Sequence, residues 1–162
     1  MEFLGKSKIP SEGEENGIRL YNALSAGDLP LARLIAGDTA EKSNPASAFN
    51  QGLCLFLLEE WEKALNELKN AERLIGNPPE YEISERKLFI KAIDISEQRG
   101  AKTHLLPLDP DSGACRTRYG LIRIKWLTAL CLINLGRNEE AAPVVRFLSQ
   151  YNIRLRTGKD DK

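Results

Sequence analysis

His104 is the only histidine in this 162-residue chain. A catalytic cysteine or serine needs a base beside it, and His104 stands alone in a stretch rich in proline. Three cysteines, Cys54, Cys115 and Cys131, are an odd number without C-x-x-C spacing, and two of them sit inside the apolar runs GLCLFLL and TALCLINL. They read as core thiols, and with one histidine they cannot supply four ligands at the spacing of a structural zinc site. A glycine-rich phosphate loop and a G-x-S-x-G turn are also lacking. The acid pairs Glu59/Glu60 and Glu139/Glu140 lie at expected helix starts, where the helix dipole accounts for them. The expectation is a chain that is not an enzyme and has no cofactor and no metal.

Long apolar runs are missing as well. No stretch approaches the roughly 20 consecutive apolar residues of a membrane span, and the opening MEFLGKSKIPSEGEENG shows neither an apolar h-region nor a cleavage site of small residues. The expected location is the cytoplasm, away from membranes. Formal net charge is zero, from 23 basic and 23 acidic residues, which argues against a general attraction to nucleic acid. The charges are nevertheless segregated: residues 59–85 are mainly acidic and 86–125 mainly basic. That polarity would either steer a charged partner or let neighbouring helices attract. Arg116, Arg118, Arg123 and Lys125 share one predicted helix with Tyr119 and Trp126, but the pI near 6.6 and the absence of a nucleic-acid motif argue against nucleic acid as a partner.

What is present is helix after helix. With 42% hydrophobic and 28% charged residues the chain has the composition of one ordinary globular domain. Apolar residues recur at helical spacing over about 14–26, 30–37, 46–58, 61–75, 81–98, 114–135 and 139–151. Residues 1–13 read as a lead-in, 14–151 as the helical domain and 152–162 as a polar tail. The helix over 46–58 is apolar on nearly every side, so it is either covered all round or uses one face for binding. AKTHLLPLDPDSG, residues 101–113, has prolines and aspartates at turn positions and is expected to be irregular. No strand alternation appears, so the fold class is all-α, built of antiparallel hairpins with about seven helices.

Three short stretches repeat one another. AGDLPLA, LEEWEKA and LGRNEEA each place a tight turn before a second helix and an alanine shortly into it. In AFNQGLCLFLLEEWEKALNELKNAERLIGNPP, Gly52, Leu55, Trp61, Ala64, Leu68 and Ala71 stand at successive characteristic places, with prolines at the end. In KWLTALCLINLGRNEEAAPVVRFL the corresponding residues are Ala129, Leu132, Gly136, Ala141, Val145 and Leu148, with Asn138 in the aromatic's place. In NGIRLYNALSAGDLPLARLIAG, Gly27 and Ala32 match. This pattern resembles the tetratricopeptide repeat. The resemblance implies a right-handed superhelix of stacked antiparallel hairpins. Ala32 to Ala64 is 32 residues, near the family's period, whereas Ala64 to Ala141 is 77; the gap would hold a third, irregular unit.

The resemblance also implies an inner groove lined by the first helix of each hairpin. Its expected lining comprises Tyr21, Phe49, Asn50, Leu53, Phe56, Lys87, Ile90, Arg123 and Trp126. Such a groove suits a peptide or protein segment with apolar anchors and an acidic group. Some members of the family grip a terminal carboxylate with Lys, Asn and Arg; Asn50 and Arg123 fall at such places, while Gly17 and Tyr21 do not match. Phe49, Leu53, Phe56 and Trp126 would equally serve as core if another segment covered them. The expected function is an adaptor or chaperone-like holder of another protein, with a self-associating scaffold, in effect a homodimer, as the alternative.

Overall fold

The structure, a computed structural model, describes residue 9 and residues 11–38 and 44–156. Most of the expected lead-in and the second half of the polar tail therefore lie outside the described residues. Those described form seven α-helices and no strand: α1 Glu12–Ser25, α2 Leu29–Asp38, α3 Pro45–Leu57, α4 Trp61–Ile75, α5 Ile83–Gln98, α6 Arg118–Asn134 and α7 Asn138–Ser149. α1 starts two residues before the periodicity predicts, because Ser11 and Glu14 close a reciprocal capping box at its N-terminus. α6 starts four residues later than predicted. Gly113–Arg116 is a separate 3-10 turn, and extended Thr117 divides it from the helix.

The three repeated stretches adopt one geometry. In each, a residue with positive φ ends the first helix: Gly27 at 76°, Glu59 at 61° and Gly136 at 73°. The next N–H reaches back five residues to the first helix: Asp28 to Ala23, Glu60 to Leu55 and Arg137 to Leu132, each at 2.9 Å. This is a helix stop of the Schellman type. The alanines that follow, Ala32, Ala64 and Ala141, are fully buried where paired helices touch. Gly52 serves the same close approach, since a Cβ there would lie 3.0 Å from Leu68.

α1 pairs with α2, α3 with α4 and α6 with α7; α1 and α2 lie on α3, and α4 lies directly on α6. The hairpin before the 77-residue gap therefore packs against the hairpin after it. The gap does not insert a further hairpin between them: α5 is followed by 3-10 turns at Thr103–Leu105 and Gly113–Arg116, and residues 76–117 form an insertion applied to the stack. The main core gathers Phe49, Leu53, Leu65, Leu68, Ile124 and Leu127. A second cluster joins Ile93 of α5 to Ile122, Trp126, Leu148, Tyr151 and Ile153. α3 is covered on nearly every side, which explains its unbroken apolar sequence.

The acidic and basic segments meet between neighbouring elements, in partly exposed ion pairs. Lys125 of α6 bonds to Glu72 of α4 at 2.9 Å, and Arg137 reaches Glu62 at 3.2 Å. Glu80 accepts from the Tyr151 hydroxyl at 2.7 and 2.8 Å and lies near Arg86 and Arg118, tying the start of the insertion to the turn that follows α7. Burial alone would raise the Glu80 carboxyl. The bonds from Tyr151 and the Tyr81 N–H, with the charges of Arg118 and Arg86, outweigh that and hold it below its usual value of 4.5. A carboxylate with a depressed folded pKa contributes stability above its unfolded pKa and loses it as pH falls through the folded value. Melting curves of the native chain and Glu80→Gln should therefore be separated at neutral pH and converge well below pH 4.5. Parallel curves would show that the carboxylate's charge contributes nothing.

Candidate functional site

Residues 105–115 lie against side chains from the first helices of all three hairpins: Tyr21 of α1, Asn50 of α3, and Tyr119 and Arg123 of α6. Asn50, fully buried on α3, holds this segment by its main chain. Its Oδ1 accepts from the Leu108 N–H and its Nδ2 donates to the Leu108 carbonyl, both at 2.8 Å. Asn44, which caps α3 through Oδ1, donates from Nδ2 to the Pro110 carbonyl at 3.1 Å. Arg123 on α6 donates to the Leu106 carbonyl and, at 2.8 Å, to the Tyr119 hydroxyl. An isolated extended segment has no ladder partner for its main-chain groups, and these side chains supply one. Pro107 and Pro110 bring no N–H that needs an acceptor. Leu108, 5% exposed, is the apolar anchor and packs into the main core.

Arg123 is itself unusual. It is 2% exposed, and no carboxylate among the described residues forms an ion pair with it. Its guanidinium lies 5.3 Å from the Phe49 ring centre and 5.6 Å from that of Tyr119, so π-faces take the place of a counter-ion. Its Nε has no acceptor among the described residues. Burial lowers the guanidinium's pKa, with Tyr119 opposing. Beside it is a cavity of about 210 Å³ bordered by Tyr21, Pro107, Ser112 and Tyr119.

A second, open cleft of about 400 Å³ lies between α5, α6 and the C-terminal residues. Trp126 forms its floor, with the His104 ring stacked on it at 5.3 Å and 27°. Leu130, Ile153 and Leu155 add apolar wall, and Asp94, Glu97 and Arg154 stand at the rim. Burial, then the charges of Arg123 and Lys102, lower the His104 pKa. An apolar concavity with a few polar groups is the usual form of a binding site.

The expected lining is divided by this arrangement. Phe49, Asn50, Leu53 and Arg123 are buried beneath residues 105–115 and do not line an open groove; Tyr21 is half-buried at the edge. Trp126 and Ile90 belong to the second cluster, where Trp126 is 3% exposed. Phe56 packs edge-on to Trp61 at 5.0 Å. Lys87 is exposed on α5, outside the hairpin stack. The basic stripe is broken up: Arg118 bonds to the carbonyls of Pro78 and Pro79, Lys125 is paired with Glu72 and Arg123 is buried, which leaves Arg116 as its exposed member. The sequence pattern does not single out Asn44 or Leu108, and it marks Tyr119 only as part of the basic stripe. Leucine 108 between two prolines was the available signal, because prolines one residue before and two after an apolar residue favour an extended stretch with one anchor.

Nothing in the cysteines suggests nucleophilic use. Cys54, Cys115 and Cys131 are free and buried, and burial pushes all three thiols up, that of Cys131 to about 12. Thiols so placed are inert at neutral pH. Among the described residues no group of three or more His, Cys, Asp or Glu could hold a metal ion, and no helix is long and apolar enough to cross a membrane. Comparison of the chain with protein-family models, with curated proteins and with solved structures yields no match.

Proposed function

We propose that this chain is a non-catalytic protein-interaction module of the cytoplasm, a tetratricopeptide-like stack of helical hairpins whose inner face holds a segment of another protein. The observation that carries this reading is the Asn50 side chain, which grasps both main-chain groups of Leu108 as it would those of any extended peptide. The open cleft over Trp126 supports it by offering apolar area beside that clamp, with charges at the rim to set register. A self-associating scaffold is the second reading. It is favoured by the outward side of α5, where Ile83 is 77% and Leu88 68% exposed.

Selection from a random-peptide library on the purified chain tests the first reading. One class of sequences should be enriched, bind with Kd below about 100 µM by calorimetry, and be lost in Leu155→Asp at the cleft wall. Failure to enrich any class would overturn the module. A dimer in light scattering that Leu88→Lys dissociates would establish the scaffold in its place.

A further inference from the structure

We propose that residues 105–112 are an exchangeable internal ligand, and that the clamp of Asn44, Asn50 and Arg123 takes in their place an extended segment of another protein carrying an acidic residue followed by leucine. This rests on the reading above that the inner face holds polypeptide, and it names what the clamp prefers.

Four observations lead there. Every clamp bond to the segment ends on its main chain, at Leu106, Leu108 and Pro110, so none of them depends on the occupant's side chains. Only one side chain of 106–110 is buried, that of Leu108, while Leu106 is 53% exposed. The segment belongs to an insertion between hairpins that pack directly on each other, α4 against α6, so its departure leaves that contact in place. It is also bounded by the short turn at Thr103–Leu105 and by Gly113, around which a Cβ would meet nothing within 4 Å.

The present occupant matches the clamp imperfectly. Arg123 is a buried cation with no carboxylate partner among the described residues and with an unmatched Nε, a state that favours any ligand able to bring a negative charge to it. Pro107, immediately before the anchor leucine, borders the cavity beside Arg123. An acidic side chain at that place has room to reach the guanidinium while leucine keeps the Leu108 site. An Asp-Leu or Glu-Leu segment is thus a better ligand than the chain's own Pro-Leu. The internal copy, present at an effective concentration on the order of millimolar, admits only partners that exceed it.

The test is fluorescence anisotropy on the full chain with a labelled peptide of sequence HLLPLDPDS, that of residues 104–112. Leu108→Ser, which removes the internal anchor, should bind this peptide on the order of 100-fold more tightly than the native chain, because the competitor is weakened. Adding Asn50→Ala should abolish the gain. The peptide with Pro107→Glu should bind about tenfold more tightly than its parent, and the one with Pro107→Gln should not, because only the former brings a charge. A folded Leu108→Ser chain that binds no better than native, or equal binding of the Glu and Gln peptides, overturns the proposal.

Should Leu108→Ser not fold, hydrogen exchange on the native chain decides, since the Leu108 N–H is held by Asn50 alone. Exchange faster than that of the α3 and α6 amides supports an exchangeable segment, and exchange only by global unfolding overturns it. A segment that does not exchange still leaves the open cleft over Trp126 to take library-selected peptides, lost in Leu155→Asp, so failure of this inference and failure of the module are separable.

Discussion

Phe49→Ala should cost about 3–5 kcal/mol of stability, the range for truncating a fully buried aromatic. Phe49 has no exposed surface and packs in the main core with Leu53 and Ile124, and its ring faces the Arg123 guanidinium. Truncation removes the ring's packing and exposes a cavity to a buried cation that has little else to offset its charge. For a chain of this length the melting temperature should fall by about 6–20 °C. Phe56→Ala is the comparison, because Phe56 is only half-buried and touches Trp61 edge-on; its loss should cost about 1–2 kcal/mol. Urea melts of both variants decide the matter. Equal and small effects would mean that Phe49 lines an open surface after all.

The second large effect is expected at Gly120, in the first turn of α6. A Cβ there would overlap the Cys115 carbonyl oxygen and lie 2.8 Å from its carbon and 2.9 Å from Ile75 Cδ1. The main obstacle is main chain of the Gly113–Arg116 turn, which cannot rotate aside as a flexible side-chain tip would. Gly120→Ala should therefore destabilise by about 3 kcal/mol, although alanine favours helix over glycine by about 1 kcal/mol in an open position. Gly37→Ala, whose nearest neighbour is the flexible Arg33 side chain at 3.4 Å, should show the ordinary helix gain instead. If Gly120→Ala is neutral in thermal and urea melts, α6 and the turn are not in the close approach described.

The parts of the fold that the sequence pattern makes legible have local determinants. A stripe at i, i+3 and i+4 makes a helix and a buried face together, and so α4 runs over Trp61–Ile75 as its periodicity indicates, with Ala64, Leu65, Leu68 and Ala71 inward. The turns of AGDLPLA, LEEWEKA and LGRNEEA share one geometry because each needs only a residue with positive φ and a small residue after it. Helix starts were less legible, since capping bonds at Ser11 and the 3-10 turn before α6 depend on single side chains and on extended Thr117.

The sequence by itself determined the helices, the hairpin turns and the alanines on which paired helices touch, because each of these follows from interactions within a few residues. Only the tertiary structure decided that residues 105–115 lie against the first helices of the hairpins, that Asn50 and Arg123 are buried beneath that segment and that α5 stands outside the stack. Asn50 lies 58 positions from Leu108, and it bonds to groups that every residue except proline carries. A bond to the main chain leaves no mark on the composition of its partner, so distance along the chain and the sameness of the backbone together kept this part of the site out of the sequence's reach.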